Sequence, residues 1–123
     1  MAVFEFLNRV ELKGIVAQVK TTPVGDNINI RLAVVTQCAA RDNKGNWTVE
    51  NTWFNVTAFT KNVSVETDKL QKGTKVHITG RLRAKKYVDS TGQEKFMYEI
   101  VASAPDSIEI IDDESGSVPK TNK

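Results

Sequence analysis

Two short stretches carry the side chains whose types and spacing could do chemistry. From Trp53 to Phe59, Phe54, Val56 and Ala58 alternate with Trp53, Asn55, Thr57 and Phe59. A β-strand sends successive side chains to opposite faces. The first set then makes an apolar stripe for a core, and the second places two large rings among polar groups. Flat rings on a polar face can stack on flat ligands, and every nucleic-acid base offers a π-face. The same rings could instead cover a second small core or a subunit contact. From Lys75 to Val88, Val76, Ile78, Gly80, Leu82 and Ala84 alternate with Lys75, His77, Thr79, Arg81, Arg83, Lys85 and Tyr87, and Lys86 adds a fifth cation to a stretch without an acid. A run of cations is by default a solvated face. This one ends at an aromatic on its own parity, and cations that meet phosphates beside rings that accept bases are the two ingredients of a single-strand groove.

Other chemistries find little material. His77 is the one histidine and Cys38 the one cysteine, so neither a metal set nor an internal disulfide can be assembled from them. Glycine-rich phosphate loops of the G-x-G-x-x-G or G-x-x-x-x-G-K-[ST] kind do not occur. The carboxylates are scattered, with no pair suited to acid–base work. The expectation is a binding protein without a cofactor, in which Cys38 is a small buried hydrophobe and His77 a surface or interface residue.

The elements that must position these residues follow from period two. Asn8 to Lys20 reads as a first strand, interrupted at Gly14, where a bend or bulge is expected. A turn holds Pro23, Gly25, Asp26 and Asn27; Ile28 to Ala39 is a second strand. The polar loop Arg41–Asn46 leads to a third strand, Trp47–Phe59. Residues 61–72 suggest one short helix with Val63 and Leu70 on a face, closed by Gly73. Lys75–Val88, the turn Asp89-Ser90-Thr91-Gly92 and Glu94–Ala102 give two further strands. Ile108, Ile110 and Ile111 either extend the last strand or pack beside it. Three strands, a helix, then two strands suit an all-β OB-fold, a five-stranded Greek-key barrel, although other small barrels share the pattern.

The chain has 123 residues, room for one domain over 1–111 followed by a short tail, 112–123, whose Asp-Asp-Glu and Ser/Gly/Pro composition predicts disorder. The net charge of +2 conceals an asymmetry: residues 1–105 hold 15 Lys/Arg against 10 Asp/Glu, and residues 106–123 hold two against five. A basic body favours a polyanionic partner. No apolar run approaches the roughly 18–20 residues of a membrane span, and the start has neither signal-peptide nor transit-peptide order. A cytoplasmic protein, in bacteria associated with the nucleoid, is expected.

Four segments in order resemble the bacterial single-stranded DNA-binding proteins. Asn8-Arg9-Val10-Glu11-Leu12-Lys13-Gly14 is similar to the family's opening strand, Thr52 to Lys61 to its third, and Lys72 to Arg83, with its glycine pair, to its fourth. Tyr87-Val88-Asp89-Ser90-Thr91-Gly92-Gln93 is similar to its turn after an aromatic, with Tyr87 where the family often has Trp. The resemblance spans about residues 8–111. It implies an OB-fold, assembled as a homotetramer rather than a dimer, that wraps single-stranded DNA in replication, recombination and repair. Trp53, Phe59 and Tyr87 would then be the stacking rings. Lys61, Lys72, Arg83, Lys85 and Lys86 would meet phosphates, with Asn55 and Arg81 on the same faces, and His77 would fall near the contact between dimers.

The sequence departs from the family in three places. Ala39-Ala40 precede Arg41-Asp42 where a further stacking Trp is usual, and Trp47 on the hairpin is the candidate replacement. The turn Pro23–Asn27 is short. The end, Lys120-Thr121-Asn122-Lys123, lacks the acidic tip with a terminal Phe that recruits replication and repair enzymes, so that role is not carried over. A primosomal-type adaptor on the same barrel, whose main ligand is another protein, is the alternative the missing ring and tip favour.

Overall fold

The computed structural model describes residues 5–111 of the chain; the expected tail, 112–123, lies outside them. Six strands run in order: β1 Val10–Val24, β2 Asn27–Arg41, β3 Trp47–Phe59, β4 Lys75–Val88, β5 Glu94–Ala102 and β6 Ile108–Ile110. The sheet order is β1-β2-β3-β5-β4-β6, and β1 also pairs with β4, which closes the first five strands into a barrel. The closing contacts are a short parallel ladder, Val56–Ala58 against Ile100–Ala102, and an antiparallel one, Val10–Ile15 against Lys75–Gly80. This is the expected five-stranded OB-type barrel. β6 pairs with Val76–Ile78 on the edge of β4 opposite β1, so the isoleucines form a strand of their own rather than an extension of β5.

Apolar side chains from alternating positions fill the barrel: Leu12, Val16, Ile30, Leu32, Val34, Val56, Ala58, Val76, Ile78, Ile100, Ala102 and Ile108 are buried. Val63 and Leu70 join them from the β3–β4 connection. No α-helix carries those two, contrary to the sequence expectation: among the described residues the connection holds a single 3-10 turn, Thr67–Lys69. Val63, Val65 and Thr67 are β-branched and resist helical χ1 crowding, and an irregular segment can seat Val63 and Leu70 without a helix between them. Gly73 takes its positive φ of 96° in the turn into β4, where its N–H donates to the Val16 carbonyl at 2.8 Å.

Two departures from strict alternation shape the molecule. The ladder of β1 with β2 slips between Val16 and Gln18, so the bulge sits at Ala17 and not at Gly14. Past it the inward parity reverses: Val19 pairs with Leu32 inside, while Lys20 and Thr22 pair with Arg31 and Asn29 outside. Gly14 has a different task. A β-carbon there would stand 2.5 Å from the Val35 carbonyl oxygen and 2.8 Å from a Val34 methyl; at Gly80 it would stand 2.4 Å from the Val101 oxygen and 2.9 Å from an Ile100 methyl. These glycines let β1 and β4 lie tightly on β2 and β5 at the corners of the barrel. Gly80→Ala is therefore expected to destabilise the fold by about 1–3 kcal/mol, as over-packing does, read as a lower urea midpoint with an unchanged slope.

The second departure is that two hairpins outrun the barrel. In β4 the stripe continues past Gly80 to Leu82 and Ala84, yet both are exposed, because the barrel ends there and β4–β5 continues as an arm. The β2–β3 hairpin forms a second arm. Cys38 lies on it and is exposed, not buried as its β-branched surroundings suggested; no core exists at that distance for it to enter. His77 is largely covered, with Nε2 2.6 Å from a Glu11 oxygen and Nδ1 3.2 Å from Glu109. It ties β1 and β6 to β4, and its hydrogen bond and charge hold the Glu11 carboxyl below its ordinary range. No helix of the described residues is long and apolar enough to cross a membrane.

Candidate nucleic-acid interface

Directly paired residues of neighbouring strands share a face, so the registers assemble the outer surface of the barrel. Arg31 lies beside Thr57, Asn29 beside Phe59, Ala33 beside Asn55 and Val35 beside Trp53. Thr57 neighbours Val101 of β5, and Val101 neighbours Arg81 of β4, followed by Glu99 with Arg83, Met97 with Lys85 and Lys95 with Tyr87. The rings of β3 and the cations of β4, read from separate stretches of sequence, thus lie on one surface with β5 between them.

An open groove of about 490 Å³ runs across this surface, with Lys20, Arg31, Phe59, Arg83 and Lys85 among its lining residues. A smaller hollow adjoins it, sharing Lys20 and Arg31 and adding Asn55, Met97 and Glu99. Thr57 faces this side as expected but is nearly buried: it forms the floor. The Asn29 amide donates to its Oγ1 at 3.2 Å and to the Ala58 carbonyl at 3.3 Å, and Arg31 Nε donates to Asn29 Oδ1 at 3.3 Å. Arg31 is in this way aimed by a side chain fixed to the floor. Phe59 is 39% and Trp53 63% exposed, which leaves each a face for a ligand. A larger hollow elsewhere, about 910 Å³, is lined by Val65, Ile108 and Ile110 with Glu66, Asp106 and Glu109; its charge does not suit a polyanion.

The surface sorts the sequence-derived candidates. Phe59, Arg83 and Lys85 come together in the groove and Asn55 in the adjoining hollow; Trp53 lines neither and shares their face further along β3, as Arg81 and Tyr87 share the face of β4 at either side. Arg83 does not stand free: its Nε donates to Glu99 Oε2 at 3.0 Å and Nη2 reaches the same oxygen, while Glu99 itself is buried. Lys61 is exposed in the turn after Phe59, beside the groove residue Asn62. Lys72 lies in the turn before β4 and does not line the groove. Lys86 has the opposite parity from Lys85, turns to the face of Phe96, and pairs with Glu94 at 3.0 Å. Lys20, Thr22, Asn29 and Arg31 were not among the candidates. Arg31 could have been found from the second strand's alternation, but Lys20 was hidden by the bulge at Ala17. Among the described residues no group of three His, Cys, Asp or Glu side chains is placed to hold a metal ion.

The chain matches the model of the single-strand binding protein family over residues 7–110. Solved structures with a similar fold include a Plasmodium falciparum single-strand binding protein in complex with single-stranded DNA, at TM-score 0.73 and 22% identity, covering 90% of this chain and all of that one. A deletion variant of the single-stranded DNA-binding protein from Thermus aquaticus is similar at TM-score 0.68 and 22% identity, over 86% of this chain and 51% of that one. The small single-stranded DNA-binding protein from Streptomyces coelicolor is similar at TM-score 0.62 and 22% identity, over 90% of this chain and all of that one.

Proposed function

The chain belongs to the single-strand binding protein family, and from that premise we propose that the groove across β1, β2, β3, β5 and β4 is where it holds single-stranded DNA. The observation that carries the reading is the convergence of Lys20, Arg31, Arg83 and Lys85 with Phe59 in one groove. Cations release counterions from the phosphates, which supplies affinity without regard to sequence. Phe59, Trp53 and Tyr87 then take unstacked bases, which a duplex offers only by melting. Asn55 and Thr57 add polar groups between the rings. This is protection by binding, without turnover, and the family's service to replication, recombination and repair rests on it. Side-by-side copies would multiply the stacking area, so a tetramer fits the reading better than a dimer.

Titration of tryptophan fluorescence with poly(dT) and with duplex DNA tests the proposal. Quenching by the single strand alone, weakening as salt rises, is the expected result. In Lys85→Ala the slope of log affinity against log salt should fall by about 0.7, the value of one single-strand phosphate contact. Equal response to duplex and single strand would refute the groove, and silence toward both would favour an adaptor whose ligand is a protein.

A further inference from the structure

Glu99 is the one acid among the described residues that line the groove and the hollow beside it. A carboxylate repels the phosphates that Lys20, Arg31 and Lys85 attract, so its place there needs another reason. Part of the reason is Arg83, whose Nε donates to Glu99 Oε2 at 3.0 Å and whose Nη2 reaches the same oxygen. Both bonds end on Oε2, and no side chain or backbone group of the described residues donates to Oε1. Glu99 is 5% exposed. Its second oxygen is thus an acceptor largely withdrawn from water, and such a group gains from a ligand that brings a donor to it.

The strand registers show what stands across from it. Gln18 pairs with Ala33 and Ala33 with Asn55, while on the far side Glu99 pairs with Arg83. The parallel ladder between β3 and β5 starts at Val56 and Ile100. Asn55 and Glu99 each stand one residue before that start, outside the ladder. Between them lies the adjoining hollow, about 170 Å³, with Leu32, Val56 and Met97 in its apolar lining. Arg83 occupies the β4 side of Glu99, so a ligand meets the carboxylate from the side of Asn55. Across this gap an acceptor faces a side-chain amide over apolar walls, and the next row of the surface carries the cations Lys20 and Arg31.

We propose that Glu99 and Asn55 read the edge of one base of the bound strand, and that they favour cytosine over thymine. The inference rests on the groove reading above. An unpaired base presents its Watson–Crick edge to the protein. Cytosine N4 donates to a carboxylate, here Glu99, and the neighbouring ring acceptor N3 takes the Asn55 amide. Thymine has one donor on that edge, N3–H, set between two carbonyl oxygens that the carboxylate repels. Adenine offers the same amine and ring acceptor on a larger frame, so a hollow this small ranks it below cytosine. Phosphate and stacking contacts hold the strand without regard to sequence, and Glu99 adds a bias at one position in each copy.

The test is a set of anisotropy titrations at fixed salt with oligomers of dC, dT and N4,N4-dimethyl-dC, each about 12 nucleotides long, within the range of one OB-fold. The proteins are the full chain and its Glu99→Gln variant. Dimethylation removes both amine hydrogens and leaves the protein untouched. It should weaken binding to the unaltered chain about tenfold, the size of one base-edge contact, and binding to Glu99→Gln by less than about twofold. The ratio of dC to dT affinity should fall about tenfold from the unaltered chain to the variant, a comparison in which the different stacking of the two bases cancels. A ratio and a dimethylation cost alike in the two chains, with dC and dT both still bound, would overturn the base reading. Glu99 would then be the counterion of Arg83 alone, and the groove would stand. Should Glu99→Gln unfold, as urea titration would show, the unaltered chain decides: a dimethylation cost below about twofold overturns the proposal, and one of about tenfold upholds it. Failure of the unaltered chain to bind either dC or dT would remove the groove reading as well.

Discussion

The double variant Trp53→Ala, Phe59→Ala will bind dT oligomers two to three orders of magnitude more weakly than the unaltered chain and melt at nearly the same temperature. Each stacked base contributes about 1–3 kcal/mol by alanine substitution. The rings stand six residues apart on one strand, about 20 Å, far enough for their losses to add. Neither belongs to the buried core of the barrel, so stability should move by less than about 1 kcal/mol. Phe59, seated in the groove beside Asn29 and Lys85, should carry the larger single effect. Anisotropy titrations at fixed salt, paired with urea unfolding, measure both quantities. A fall in stability matching the fall in affinity would make the rings a second core. A change of assembly with affinity per site preserved would make them a subunit contact.

What the sequence could and could not disclose follows from where alternation is interrupted. β3, β4 and β5 have the bounds read from pattern alone, because each is an unbroken period-two run bordered by turn residues, among them the Asp-x-x-Gly-x sequences at Asp42 and Asp89. The opposed faces of Trp53 and Phe54, or of Arg83 and Leu82, come from the same rule. Parity gives a face but not what covers it. Leu82 and Ala84 continue a core stripe past the end of the core, and Cys38 looks interior because its neighbours do. The bulge at Ala17 is one residue long and has no glycine to announce it, yet it reverses the outward set of β1 and brings Lys20 into the groove. The missing helix between β3 and β4 is a case where tertiary burial of Val63 and Leu70 needs no regular element. Lys86 looked equivalent to Lys85 in a list of cations; one step along the strand puts it on the other face, against Glu94.

Arg83 is where that distinction has the largest consequence. As a free cation of β4, Arg83→Ala would reduce only the salt dependence of binding. The structure instead ties its guanidinium to Glu99, a carboxylate buried on the groove side of β5. Removing one partner of a buried pair leaves the other charge without compensation, a loss of 3–5 kcal/mol when both are enclosed. Arg83 is about half exposed, which lowers the expected cost of Arg83→Ala to about 2–3 kcal/mol. The variant should therefore unfold at clearly lower urea and bind DNA poorly, and the affinity alone would misreport its cause. The double variant Arg83→Ala, Glu99→Gln separates the two roles. A neutral amide at position 99 removes the stranded charge, so most of the stability should return, while DNA affinity stays low because the phosphate partner is still absent. Recovery of both would show that Arg83 acts only as the counterion of Glu99. Recovery of neither would mean that the arginine stem packs the groove floor over Glu99, and Arg83→Met would then restore the fold where alanine does not.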